Sequence, residues 1–329
     1  MPHAPRPLLI AHRGASALLP EHTLAAYRRA IEDGADAIEP DLVMTRDGVL
    51  VARHENRIDA TTDVAAHPSF AARRTRKRID GAWVEGWFTE DFTLDELRRL
   101  RARERLPDIR PTLHDGLHPV ATFEEIVELA AEASARLGRD VAVVPETKHP
   151  SYFASLGLAM EEPLLRAIDG HPWACRAPLI IQSFEDGNLR RLREWIDGRR
   201  NIRLLQLTCP DPGAIDAREE PMHAPGGLRE VATYADILGP PHQALRVAGG
   251  RSRLVDDAHA AGLQVMPWTY RPENRFLPPR LRDGPPAARN EAGAIRQLVE
   301  HLDAGIDGLF ADDPAVAARA VAAHAARSL

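Results

Sequence analysis

Short apolar runs alternate with segments of helical periodicity along most of this chain. The run Leu8-Leu9-Ile10-Ala11 predicts a strand. Leu24, Tyr27 and Ile31 then recur at helical spacing, with His22-Thr23 before them and Gly34 after them. Residues 37–43 predict a second strand, and 49–51 a short one after the turn Arg46-Asp47-Gly48. From Thr122 onward the alternation is regular. Strands are predicted at 141–144, 179–181, 202–205, 237–238, 263–266 and 308–310. Helices are predicted at 123–137, near 156–169, at 187–196, near 228–234, at 252–261 and at 294–304, with an alanine-rich helix from Pro314. Gly262 supplies a helix stop. Eight strands, each followed by a helix, predict a (β/α)8 TIM barrel. A doubly wound sheet is the alternative. It more often carries a glycine-rich loop after its first strand, where this chain has Ala11-His12-Arg13-Gly14.

Between 56 and 119 the alternation lapses, which predicts an insertion subdomain after the second strand of a single domain spanning 1–329. The basic run 73–78 reads as a solvated loop, and Trp83 and Trp87 as core of the insertion. Thr93 with Glu96 forms a capping-box signature.

Composition changes this picture little. The 42 basic and 48 acidic residues give a net charge of −6, without the basic excess of a general nucleic-acid binder. No apolar stretch nears the ~20 residues that span a bilayer. The first residues lack the pattern of a signal peptide, so the expectation is a cytoplasmic protein without stable membrane insertion. Cys175 and Cys209 cannot build a disulfide framework and are expected to be small buried residues. His3, His114, His118, His223 and His242 are expected at the surface.

Charged residues inside strands are costly unless paired or bound, and in a barrel the reactive groups lie at the C-terminal ends of strands. The first strand ends in His12-Arg13. Glu39 and Asp41, two apart, share one face of the second strand. That pair is either a polar edge face or half of a hard-cation site with oxygen ligands. His54 follows the short strand, and the third barrel strand ends in Glu146-Thr147-Lys148. Later strands end at Gln182-Ser183-Phe184, Gln206 and Trp268-Thr269-Tyr270. Three carboxylates, two histidines and two cations suit metal-assisted cleavage of a phosphate ester by acid–base chemistry. Glu21 reads either as a further ligand or as a carboxylate favoured at a helix start. Pro40 lacks a donor for a central strand and could mark a bulge that aims the two carboxylates.

Ala11-His12-Arg13-Gly14-Ala15, Pro20-Glu21-His22-Thr23, Glu39-Pro40-Asp41-Leu42, Thr45-Arg46-Asp47-Gly48 and His54-Glu55 together resemble the glycerophosphodiester phosphodiesterase family. Pro145-Glu146-Thr147-Lys148, Gln182-Ser183-Phe184, Pro267-Trp268-Thr269-Tyr270 and Gly308-Leu309-Phe310-Ala311-Asp312 continue the likeness. It is nearest to the bacterial periplasmic type, which carries an insertion over the barrel mouth. The resemblance implies hydrolysis of small glycerophosphodiesters to glycerol 3-phosphate and an alcohol. It implies a divalent metal, Ca2+ or Mg2+, on Glu39, Asp41 and Glu146, and an acid–base pair of His12 and His54. Arg13 and Lys148 match phosphate-binding positions, and Phe184, Trp268 and Tyr270 match walls of the glycerol side. Glu55 stands where the family usually has Asp. Alternatives on the same fold are a phospholipase D-type enzyme for lysolipids and a phosphodiesterase for sugar or opine esters. A non-catalytic phosphoester-binding barrel is a third reading.

Overall fold

A computed structural model describes residues 6–209 and 221–327. His3 and most of the residues weighed as a signal peptide lie outside that range. Chain order is β1 (Leu8–His12), α1 (Leu24–Glu32), β2 (Ala37–Glu39), β3 (Asp41–Met44) and β4 (Leu50–Ala52). The stretch between β4 and α3, read above as an insertion, carries β5 (Thr75–Ile79), β6 (Ala82–Gly86) and α2 (Leu94–Leu97). Then follow α3 (Phe123–Leu137), β7 (Ala142–Val143), β8 (Glu146–Thr147), α4 (Pro150–Ser155), α5 (Glu161–Gly170), β9 (Leu179–Ser183) and α6 (Asp186–Trp195). The chain continues with β10 (Ile202–Leu207), α7 (Pro225–Val231), β11 (Ile237–Gly239), α8 (Arg253–Ala260), β12 (Gln264–Val265), α9 (Glu291–Asp303), β13 (Gly308–Ala311) and α10 (Pro314–Arg327).

The parallel strands pair in the order β12-β11-β10-β9-β7-β2-β1-β13. Between β12 and β13, Asp307 N donates to Val265 O at 2.9 Å and Phe310 N to Pro267 O at 3.1 Å. Tyr270 N donates to Phe310 O at 2.9 Å across the same seam. These bonds join the two ends of the strand order, and the result is the TIM barrel expected from the sequence.

Two prolines divide strands at the mouth. Pro40 separates β2 from β3, and β3 moves on to pair with β8 at Asp41↔Glu146. Pro145 separates β7 from β8 in the same way. A proline offers no donor, so each ladder breaks there and restarts one residue on.

Apolar residues sort into two layers by the two-residue period of the strands. Inside the barrel pack Ile10, Ala37, Val144, Ile180, Leu205, Met266 and Phe310. A separate, larger cluster lies between strands and helices and takes in Leu9, Ile38, Val143, Ile181 and Leu309. Ile58, Val64, Phe70, Phe92, Leu97 and Leu100 of the insertion belong to that larger cluster.

Helix ends follow local chemistry. Thr122 and Thr93 each close a capping box, with Glu125 and Glu96. The helix predicted near 156–169 is two helices, α4 and α5, divided near Gly157 at φ +75°.

Other expectations change. Arg73–Arg78 is no loop: Thr75–Ile79 pairs antiparallel with Ala82–Gly86 as a hairpin. Arg76 and Arg78 are exposed on one face, while Lys77 turns to Glu90 and Asp91. Trp83 is 61% exposed, stacked only by Arg76, whereas Trp87 packs against the core. Both cysteines are exposed. His223 and His242 are buried, bonded to Thr208 and Gln297. Among the described residues no helix is long and apolar enough to cross a membrane.

Candidate active site

The inward face of five barrel strands turns from apolar to polar at its end. Ile10 is followed by His12, Ala37 by Glu39, Val144 by Glu146 and then Lys148, Ile180 by Gln182, and Phe310 by Asp312. The same period that fills the barrel therefore crowns it with charge. The cavity at this end, about 200 Å3, is lined by His12, Arg13, Glu39, His54, Glu146 and Lys148. Phe184 and Trp268 meet edge to face at 5.7 Å and form part of its wall.

Ligand oxygens of Glu39, Asp41 and Glu146 all lie within 4.8 Å of one another. All three side chains are buried. Gln182 Nε2 donates to Glu39 Oε1 at 2.9 Å, and the Arg13 backbone N–H donates to Glu39 Oε2 at 2.9 Å. His22 Nε2 meets Asp41 Oδ2 at 2.9 Å, and Lys148 Nζ meets Glu146 Oε1 at 2.9 Å. Asp41 Oδ1 is buried and has no hydrogen-bond partner.

An orphaned buried carboxylate oxygen beside two more carboxylates fits a divalent cation with oxygen ligands. The proton affinities agree. Burial pushes Glu146 up to about 8, against the pull of Lys148 and with the push of Asp41. Burial, then Asp41 and Glu146, raise Glu39 well above the usual carboxylate range. Burial would raise Asp41 too, but Arg13, Lys148 and His22 hold it well below that range. Three carboxylates so close cannot all ionise without positive charge among them.

His12 is fixed by Asp312. Its Nδ1 lies 2.6 Å from Asp312 Oδ1, and its Nε2 stands 3.5 Å from Thr269 Oγ1. Asp312 also takes Arg110 Nη2 at 2.6 Å and Arg271 Nε at 2.9 Å. Burial, then Arg13, lower His12 to about 4 against the opposing pull of Asp312. Burial alone would raise Asp312, yet Arg271, Arg110 and His12 keep it well below the usual range. His54 is partly exposed, with Nδ1 at 3.1 Å from Glu55 Oε1. Burial, then Arg13 and Lys148, lower its pKa well below that of a free imidazole.

Arg13 sits at φ +61° and Gly14 at φ +84°. This double turn brings the Arg13 N–H back onto Glu39. A Cβ on Gly14 would meet the Ala26 carbonyl carbon at 2.6 Å, so only glycine fits. The Arg13 guanidinium lies 3.1 Å from Glu21 and 3.0 Å from Asp41, though its Nε–H is not aimed for a hydrogen bond.

Of the residues singled out in the sequence, nine meet at this mouth: His12, Arg13, Glu39, Asp41, His54, Glu146, Lys148, Phe184 and Trp268. Tyr270 does not. It is buried outside the barrel, with its hydroxyl 2.6 Å from His301 Nδ1 and its ring stacked on His242. Beyond Trp268 the alternation changes, and Thr269 and Arg271 line the cavity instead. Glu21 is no part of the carboxylate triad; it pairs with Arg13 and with Arg105 of the insertion at 2.9 Å. His149 bonds Glu55 and Asp80 at the rim.

Sequence reasoning missed Asp312, Arg271 and Arg110. Asp312 ends the last strand as His12 ends the first, so the strand-end rule could have found it. Arg110 lies in the irregular stretch, where no periodicity points inward.

The chain matches the glycerophosphoryl diester phosphodiesterase family over residues 12–316. It is 31% identical to a glycerophosphodiester phosphodiesterase of Arabidopsis thaliana, over 93% of this chain and 84% of that one. It is 27% identical to a glycerophosphodiester phosphodiesterase of Haemophilus influenzae, over 92% and 89% of the two chains. Its fold is similar to that of a solved Oleispira antarctica phosphodiesterase in complex with the product sn-glycerol-3-phosphate, with a TM-score of 0.64 and 19% identity. That likeness covers 96% of this chain and 97% of the other.

Proposed function

This chain belongs to the glycerophosphoryl diester phosphodiesterase family, and from that premise we propose that it hydrolyses glycerophosphodiesters to sn-glycerol 3-phosphate and an alcohol at the barrel mouth. The observation that carries the reading is the buried Glu39, Asp41 and Glu146 triad, with an orphaned oxygen, set between two histidines and two cations.

Glu39, Asp41 and Glu146 would hold a hard divalent cation, and this all-oxygen donor set suits Ca2+ and Mg2+ alike. When bound, the cation supplies charge stabilisation to the phosphoryl oxygens. Arg13 and Lys148 neutralise the same oxygens from the protein side. His12 is the base. Burial keeps it neutral at pH 7, and Asp312 holds Nδ1–H so that Nε2 is free to accept a proton. It takes the proton of the glycerol hydroxyl next to the ester as that oxygen attacks phosphorus. The bond to the alcohol breaks, and the departing oxygen takes a proton from His54. Burial, then Arg13 and Lys148, lower His54 in the free site, and a bound phosphodiester anion favours its protonated form. Water then opens the cyclic phosphate with the histidine roles reversed. Phe184 and Trp268 offer an apolar wall to the carbon side of the substrate.

The test is phosphorus NMR of glycerophosphocholine incubated with purified protein. Glycerol 3-phosphate should form, stop with chelator and return with Ca2+ or Mg2+. His12→Ala and His54→Ala should each lower turnover by about 10^2 to 10^4. No glycerol 3-phosphate from any head group tried, with either ion present, refutes the reading.

A further inference from the structure

A second cavity, of about 520 Å3, opens beside the catalytic one and is more than twice its volume of about 200 Å3. It lies between the chain that follows β11, the chain that follows β12, and helix α9. Its lining is electrostatically one-sided. Arg246, Arg271, Arg275, Arg280 and Arg282 border it, and among the described residues no carboxylate does.

Four of these arginines already have partners: Arg271 meets Asp312, Arg275 meets Asp108 at 3.0 Å, Arg280 meets Glu300, and Arg246 is engaged as well. Arg282 donates Nε to the Leu277 carbonyl at 2.8 Å and meets no carboxylate among the described residues. The deeper wall is polar and buried. Gln297 Nε2 donates to His242 Nδ1 at 3.1 Å, which leaves the ring proton on Nε2 as a further donor. Burial lowers His242 to about 3, so this donor is a neutral imidazole. The two cavities adjoin at Arg271, which lines both and holds Asp312 behind His12.

Guanidinium forks set over buried N–H donors are a donor set that recognises phosphate. We propose that this cavity is a second anion site for a phosphate dianion, next to the catalytic centre across Arg271. The dianion is carried by the alcohol part of a substrate or is free in solution. The substrate form rests on the phosphodiesterase reading above; the binding site itself does not.

The experiment uses the full chain and a double variant, Arg280→Ala with Arg282→Ala. Both side chains are exposed and neither touches the catalytic groups. Two substrates are compared: a glycerophosphodiester of ethylene glycol, and the same diester with a terminal phosphate on the glycol. The terminal phosphate should raise kcat/KM by about tenfold or more in the wild type, the scale of one charge-assisted hydrogen bond. The double variant should lose that gain and keep the unphosphorylated diester within about twofold. Calorimetric titration with inorganic pyrophosphate should find two sites in the wild type and one in the variant. No gain, with a pyrophosphate site lost in the variant, means that the site stands and its anion is free. A gain that the variant retains, or equal pyrophosphate stoichiometry in both proteins, overturns the proposal. Failure of both diesters to turn over refutes the catalytic reading alone, and the titration still decides the site.

Discussion

Replacing Asp312 by Asn tests whether His12 is a positioned base. The carboxylate is fully buried and meets three groups, His12 at 2.6 Å, Arg110 at 2.6 Å and Arg271 at 2.9 Å. Asn keeps the shape and an acceptor oxygen but removes the charge. Arg110 retains Glu273 at 2.7 Å, while Arg271 loses its acidic partner. Removing one member of a buried ionic cluster costs about 3 to 5 kcal/mol. For a chain of 329 residues this lowers Tm by about 4 to 7 °C. The loss depends on pH. Asp312 has a folded-state pKa below its unfolded value, so its stabilisation is full above about pH 4 and fades as pH falls through the folded value. The Tm gap between wild type and variant should therefore narrow in strong acid. Turnover should fall by about 10^2 to 10^4 as the imidazolium formed in the reaction loses its counter-charge. The acid limb of kcat/KM should also move to lower pH, because Asp312 raises the His12 pKa in the native protein. Calorimetry gives the first effect and phosphorus NMR across pH the second. A folded variant with turnover within about threefold of wild type, and an unmoved acid limb, would refute the positioning role.

Cation binding should release a proton near pH 7, since Glu146 is pushed up to about 8 and carries a proton until positive charge arrives. Titration of Ca2+ into weakly buffered protein should show that release, and it should fade as pH rises well past the Glu146 value of about 8. The same cation at about a hundred times its Kd should add about 2.7 kcal/mol of stability. Gly14→Ala should cost about 2 to 5 kcal/mol in urea denaturation, from a left-handed φ and a Cβ driven into the Ala26 backbone. Arg110→Ala should lower Tm and turnover together, because it leaves Glu273 and Asp312 short of a cation at the base of the site.

The barrel was legible because two periods alternate in register, and the polar crown because strand ends break the apolar alternation at His12, Glu39 and Glu146. The rest was not, for separate physical reasons. Tyr270 obeys the two-residue spacing from Trp268 and still faces outward, because β12 ends at Val265 and only isolated bridges carry the chain on past Trp268. The hairpin at 75–86 has a solvated face of alternating arginines, so hydrophobicity could not announce it. Arg105 and Arg110 reach the site by tertiary contact from a stretch without periodicity. His242 joins a buried polar stack with Tyr270 and Gln297, which a lone histidine in a sequence does not disclose.

Arginines from the stretch between β4 and α3 reach the site. Arg110 spans Asp312, from the end of β13, and Glu273, from the chain after β12, and it also donates to the Ser16 carbonyl after β1. Arg105 pairs with Glu21, which pairs with Arg13, which faces the Asp41 carboxylate. Two side chains of the irregular stretch thus connect to both halves of the site, His12 with its Asp312 and the carboxylate triad. Glu21 and Asp312 are buried, and Arg105 favours the ionised form of the first and Arg110 that of the second. An acidic chain of net charge −6 can in this way set a phosphate site in its barrel. The local balance is decided by which arginines the fold brings inward, and the net charge of the surface has little part in it.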